Sequence, residues 1–328
     1  VRRFAPLGAL VCSIVVLCAT PARAQTPAPA GWTVEPASVT GATTDRSFFD
    51  YSVAPGTALQ DYVKVSNLSG QAQTFTFYAA DGYTTAQGGF ALRLRDQPRE
   101  AVGAWVSLPF GSQTVAPGTS ITFPLQLGVP QDAPPGDYAG GVVAAVVGGP
   151  APSAPGVRIE QGVAARIYVR VQGPLHASLS ITRLESSTSG GAWSPFGGPG
   201  RATVTYTVVN SGNVRLTGTA HVDLVDAFGN TVASLGNREL PELLPRDSVT
   251  VTDRSGGLPL LGMRYHAHVT LTAPDVRSER DAPSVWHVSV PVGGVAIVAL
   301  VTLLLLSRSA LRRLARRRRA RTAAVLAT

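Results

Sequence analysis

Cysteine is nearly absent from this chain of 328 residues, with only Cys12 and Cys18. Both fall in Val1 to Ala24, which has Arg2 and Arg3 at its start, an apolar centre from Leu7 to Ala19 and the small-residue exit Ala22-Arg23-Ala24. That is the build of a cleaved secretory signal with Gln25 as the first mature residue. The mature chain is then expected to hold no thiol, which excludes disulfides and cysteine nucleophiles and leaves hydrophobic cores to stabilise it. A lipid-modified Cys18 is the alternative, opposed by Leu17 at a position where lipoprotein processing takes a small residue.

Lysine is scarcer still, Lys64 being the single one among 28 basic residues. With Asp61 three residues before it, no Ser-x-x-Lys nucleophile exists. Gly-x-Ser-x-Gly and His-Glu-x-x-His are missing as well. No sustained helical period runs through the central part of the chain, so a helical fold is not expected there.

The formal charge of +8 is misleading until it is divided along the chain. Three arginines lie in the signal and eight between Arg308 and Arg321, while all 20 acidic residues lie between them. The part from Gln25 to His287 is therefore net acidic, and a nucleic-acid partner is excluded as the reason for the high pI. Val288 to Leu306 carries no charge and is about long enough to cross a ~30 Å hydrocarbon core as a helix. Trp286 before it and the arginines after it suit the outer and cytoplasmic sides. The expected protein is single-pass in the plasma membrane, with an extracellular N-terminal ectodomain and a basic cytoplasmic tail at 307–328.

Residues 25–31 form a Pro/Ala spacer. Short runs rich in Val, Phe and Tyr then recur at Phe48 to Val53, Asp61 to Ser66, Thr74 to Ala80, Gly88 to Leu94, Ala104 to Leu108, Thr119 to Val129, Asp137 to Val147 and Val157 to Val171. Pro55-Gly56, Asn67-Leu68-Ser69-Gly70, Pro117-Gly118 and Pro135-Gly136 punctuate them. Such spacing predicts an antiparallel β-sandwich over 32–172, with Gly148 to Gly156 as a long hairpin loop and not a linker. A second set follows at Leu179 to Leu184, Ala202 to Val209, Thr217 to Val225, Asn230 to Ala233, Asp247 to Asp253 and Arg264 to Thr272. The expectation is all-β: two tandem immunoglobulin-like β-sandwiches, the second at 175–273, then a stalk at 274–287 and one transmembrane helix.

The run Asp45-Arg46, Phe48-Phe49-Asp50-Tyr51, Pro55-Gly56, Asp61, Val63 to Asn67 and Tyr78-Ala79-Ala80-Asp81-Gly82, extended by Val102-Gly103-Ala104-Trp105, resembles the peptidoglycan-binding domain of the WxL-interacting protein family. The resemblance covers roughly Trp32 to Gln172 and rests on architecture beyond it. It implies a first domain that binds peptidoglycan and a second that binds a surface protein carrying Trp-x-Leu motifs. This chain has no Trp-x-Leu of its own, since Val, Ser, Pro and Val stand two residues after its four tryptophans. It therefore looks like the interacting partner, with the second domain acting as a binder or as a spacer.

Chemistry has few candidates. Asp45, Asp50, Asp61 and Asp81 could supply a carboxylate pair for glycosidic acid/base work, against the plainer reading of turn and strand-end aspartates. No regular Asp-x-Asp-x-Asp spacing points to calcium. His266 and His268 share a strand face and His221 could join them, but exposed surface histidines are the commoner case, and no metal or cofactor is expected. Aromatic residues are the better lead, because 15 of 22 lie in the first domain. Phe75 and Phe77 should face inward, leaving Tyr78 near Asp81 and Tyr83 as a platform for a glycan or stem peptide; core or tyrosine-corner packing is the rival for Tyr78. The expected function is a non-enzymatic membrane-anchored adaptor on peptidoglycan, with no catalytic residues. A carboxylate-based wall hydrolase and an assembly chaperone for exported subunits are the alternatives.

Overall fold

The computed structural model describes residues 31–150, 158–189, 201–255, 263–287, 294 and 297–312. The first sandwich runs through β1 (Trp32–Ala37), β2 (Phe49–Val53), β3 (Ala58–Asn67), β4 (Gln73–Thr84), β5 (Phe90–Leu92), the short α1 (Val102–Trp105), β6 (Val106–Ser107), β7 (Ser112–Val115), β8 (Ser120–Gly128), β9 (Gly136–Pro150) and β10 (Arg158–Val171). One sheet has the order β1-β3-β8-β6; the other is β2-β10-β9-β4, with β5 and β7 both against β4. The chain changes sheets between its first two strands: β1 is antiparallel to β3, whereas β2 is parallel to β10. This first-strand crossover between two otherwise antiparallel sheets is immunoglobulin-like.

Alternation explains the layering. Val63 and Val65 of β3, Phe75, Phe77 and Ala79 of β4, Phe123, Leu125 and Leu127 of β8, and Ala165, Ile167, Val169 and Val171 of β10 all turn into one core. Period-two strands place such residues on a single face. Phe77, Phe110 and Phe123 meet edge to face at centroid distances of 4.8 to 5.7 Å, the arrangement that ring quadrupoles favour.

The second sandwich comprises β11 (Leu179–Ser189), β12 (Arg201–Asn210), β13 (Leu216–Asp226), β14 (Thr231–Leu243), β15 (Ser248–Arg254), β16 (Met263–Ala273), β17 (Val276–Asp281) and β18 (Val285–His287). A sheet of order β11-β12-β15 faces one of order β14-β13-β16-β17, and β18 also pairs with β16. The expected stalk at 274–287 is thus corrected: β17 and β18 belong to this sandwich. An edge strand with most of its side chains in water needs little apolar signal, and Val-Arg-Ser-Glu-Arg-Asp has one hydrophobic residue. The expected strand at Ala104 to Leu108 is corrected too, because α1 takes its start and only Val106–Ser107 pairs with β8.

Of the expected membrane span at Val288 to Leu306, residues 288–293 and 295–296 lie outside the described residues, as do the signal, residues 25–30 and residues 313–328. Residues 297–312 are helical, and among the described residues no helix is long and apolar enough to cross a membrane.

Each sandwich holds one fully buried asparagine at the end of a long strand, Asn67 closing β3 and Asn210 closing β12. Asn67 donates its side-chain amide to the carbonyls of Gln71 and Val115, and Asn210 donates to those of Val214 (2.7 Å) and Leu243 (2.9 Å). The side-chain oxygen of each accepts an N–H two residues on, from Ser69 or Gly212. Removing such an amide orphans two carbonyls and an N–H, and a buried unpaired group costs ~1–3 kcal/mol. Asn210→Ala is accordingly expected to lose about 2–4 kcal/mol in urea denaturation, while the exposed Asn237→Ala stays within ~0.5 kcal/mol of wild type.

Candidate functional site

The three residues singled out on β4 do not share one surface. Asp81 is 7% exposed and its carboxylate accepts N–H groups from Glu100 (2.6 Å), Ala101 (3.2 Å) and Gly103 (2.7 Å). It fixes the turn into α1, with both carboxylate oxygens engaged by backbone N–H groups. A side chain at Gly103 would come within 2.7 Å of the Asp81 backbone nitrogen, which shows how closely that turn is drawn in. Tyr78 points to the outer face, half-buried against Ala80, Val143, Ala145, Leu92 and Ala164. Burial pushes its phenol pKa up first, with the charges of Glu160 and Asp96 adding to this and Arg95 opposing. Tyr83 stands apart under the Arg93 guanidinium, 5.7 Å from its ring centroid.

The remaining carboxylate candidates also have separate tasks. Asp61 accepts two hydrogen bonds from Arg46 (2.7 and 3.0 Å), one from the Tyr51 hydroxyl (2.8 Å) and one from the Tyr62 N–H. Burial raises its pKa, but these bonds outweigh burial and hold it below the ordinary value. Asp50 lies 3.6 Å from Arg215, and Asp45 is exposed. In the second sandwich His268 Nδ1 is 2.6 Å from Asp281 Oδ1, His266 Nε2 is 3.9 Å from the same atom, and His221 Nε2 is 3.1 Å from Asp223. Among the described residues no three such groups converge on a metal position.

What sequence reasoning missed lies on β10. Its register with β9 runs unbroken from Glu160 to Val171, whereas β2 covers the opposite side only from Ile167 to Val171. The Gln172 N–H donates to the Val53 carbonyl, so by strand alternation the even-numbered amides point toward the β2 side. Above β2, the backbone groups of Glu160, Gly162 and Ala164 have no strand partner among the described residues. Val163 and Ala165 between them face the core. The two-layer neighbour at this height is β1, whose Trp32 donates its indole N–H to the Ala144 carbonyl (3.1 Å).

The outward side chains farther down β10 make the junction between sandwiches. Asp137, at the start of β9, is held by Arg170 through two hydrogen bonds (2.6 and 2.8 Å) and accepts the Arg215 N–H of the second sandwich (2.9 Å). Its own N–H donates to the Asn213 carbonyl (2.7 Å). Asn213 in turn donates its amide to the carbonyls of Pro135 and Pro174. Gly136 has φ +144, and a side chain there would meet Asn213 O at 2.5 Å, so only glycine passes. On the other flank the Thr84 N–H donates to Asp247 (2.5 Å), the Thr84 hydroxyl meets the Leu244 N–H (3.2 Å), and the Thr250 N–H donates to the Ala86 carbonyl (3.2 Å). Pro135-Gly136-Asp137 was visible in the sequence, but only as a turn; its partners lie some 77 residues away.

No family model and no curated protein matches this chain. Among solved structures it is similar to one of a chaperone–tip adhesin complex of CFA/I fimbriae biogenesis, at TM-score 0.37 and 13% identity over 77% of this chain and 99% of that one. The class 5 fimbrial chaperone CfaA gives 0.35 and 12% over 73% and 97%. The CsuC–CsuE chaperone–tip adhesion subunit pre-assembly complex of Acinetobacter baumannii gives 0.32 and 8% over 72% and 95%.

The junction makes a pH prediction. Burial raises the Asp247 pKa above its ordinary 3.8, against the bonds from Thr84 that lower it. A raised carboxyl contributes stability that is present below 3.8 and lost as pH rises through its folded value. In thermal melts across mildly acid pH, the stability of wild type relative to Asp247→Asn is expected to fall as pH rises; a flat difference would remove Asp247 as its source.

Proposed function

We propose that this is a non-catalytic exported protein of surface assembly, which holds an extended segment of another exported protein along the open edge of β10. The observation that carries the reading is the unshared stretch at Glu160, Gly162 and Ala164, whose backbone donors and acceptors have no strand partner among the described residues, beside a strand whose other side is fully paired. An added strand satisfies those groups, and β2 already occupies the lower part of the same edge in parallel. The candidate carboxylates Asp61 and Asp81 are hydrogen-bonded within the first sandwich, and Asp50 faces Arg215 at 3.6 Å, which supports a binder over a hydrolase. The signal at Val1 to Ala24, the apolar stretch at Val288 to Leu306 and the arginines after it support a place at the plasma membrane with both sandwiches outside. An assembly chaperone for exported subunits and an adaptor for a Trp-x-Leu protein are two forms of this one activity.

A second reading, peptidoglycan binding by the first sandwich, is favoured by the partly exposed Tyr78 ring among Leu92, Arg95, Asp96 and Glu160. An aromatic face beside charged groups suits a sugar ring carrying a stem peptide.

The two readings separate experimentally in the full chain, purified in detergent micelles. Ala164→Pro deletes an edge N–H that does not bond to β9, so the fold and its thermal midpoint should be unchanged. Co-purification of an exported client from producing cells is expected to fall about tenfold or more, the scale of one lost hydrogen bond together with a steric block; undiminished capture would sink the strand-docking reading. Tyr78→Ala is expected to weaken pelleting with protein-free peptidoglycan sacculi and to leave client capture intact. Equal pelleting by wild type and Tyr78→Ala would remove Tyr78 from wall binding.

A further inference from the structure

An open groove of about 530 Å³ lies at the junction, walled by Arg166 and Tyr168 of β10, by Phe48, and by Arg215, Thr217 and Glu242 of the second sandwich. Two of its guanidinium groups lie over neighbouring rings. Arg215 lies over Tyr168 with its Cζ 4.3 Å from the centroid, and Arg166 over Phe90 at 4.6 Å. The two rings are themselves 6.1 Å apart, so both cations sit on one small aromatic shelf. Stacking orders an arginine without using its in-plane N–H donors, which stay available to a ligand.

Those donors are poorly satisfied from within. Arg166 is exposed and has no carboxylate within ion-pair distance among the described residues. Arg215 is 3.6 Å from both Asp50 and Glu242, beyond hydrogen-bond reach of either. Arg170, which also borders the groove, differs: its fork is closed on Asp137, so it adds little net charge. Glu242 is the opposing carboxylate in this groove, and it already accepts the Tyr168 hydroxyl at 3.2 Å. What remains around one open space is the Arg166 guanidinium, with no carboxylate partner among the described residues, the Arg215 guanidinium, paired with Asp50 and Glu242 at 3.6 Å but hydrogen-bonded to neither, and the Thr217 hydroxyl.

The geometry points to an oxyanion site here that takes the phosphate group of a ligand between Arg166 and Arg215. A carboxylate fills one guanidinium fork with its two oxygens; two forks and a hydroxyl match the larger oxygen set of a phosphate. Phe48, 40% exposed at the rim, offers an apolar wall for the body that carries the phosphate. Since the donors come from both sandwiches, the occupied site also ties them together. The inference does not depend on strand docking and goes beyond it.

Calorimetric titration of the full chain in detergent micelles at low salt tests it with three probes: inorganic phosphate, glycerol 3-phosphate and acetate. Both phosphates are expected to bind, acetate about tenfold or more weakly, and added salt to weaken all binding. Arg166→Gln changes an exposed side chain on the outer face and keeps the fold; it should cost about tenfold in phosphate affinity, the scale of a charge-assisted hydrogen bond. Arg183→Gln, whose partner Glu185 is also exposed on β11, should cost nothing. No heat with either phosphate, or full affinity in both Arg166→Gln and Arg215→Gln, overturns the site. Acetate binding as tightly as phosphate overturns the ligand class.

Discussion

The relative placement of the two sandwiches depends on Asp137. Its carboxylate is 6% exposed as a side chain and gathers the Arg170 fork from its own sheet and a backbone N–H from the next domain. A buried charge of this kind tolerates no loss of a partner, because the penalty for leaving it unpaired runs to several kcal/mol. Gly136 and Asn213 bring the two backbones close enough for the bonds to form, and Thr84 with Asp247 repeats the arrangement on the far flank. Peptide groups take part on both flanks, so rotation between the domains would break backbone bonds as well as side-chain pairs. Gly173 and Pro174, the two residues between the sandwiches, are thus spanned by a joint and do not act as a free tether.

Strand β10 brings the parts together. Its inner residues, Ala165, Ile167, Val169 and Val171, are core; its outer residues, Arg166, Tyr168 and Arg170, form the junction; its upper backbone is the open edge. Period-two geometry permits this division, since side chains and backbone groups leave the strand in different directions. Whatever touches the edge or the groove is therefore felt by a strand that both sandwiches grip.

Much of the fold was legible in the sequence because its signals are local. Alternating Val, Phe and Tyr marked most strands, and Pro-Gly pairs marked the turns between them. The failures were of two kinds. β17 carries charges because one side of an edge strand is water, so Pro274 to His287 read as a stalk. Asp81 read as a candidate ligand contact because an acid near two tyrosines looks functional, while its true partners, the N–H groups of Glu100 to Gly103, are about twenty residues on. The open edge and the groove were invisible for the same reason: one depends on where β2 stops pairing, the other on arginines 49 residues apart that happen to share an aromatic shelf.

The parallel pairing of β2 also sets a length. It closes the edge at Ile167, so the described open stretch runs from Glu160 to Arg166, which at ~3.3 Å per residue is roughly 20 Å. Backbone donors and acceptors hardly distinguish one side chain from another. A docking strip of that kind discriminates by run length and by the absence of proline at alternate positions, so it behaves as a gauge for flat, unbroken polypeptide more than as a reader of sequence.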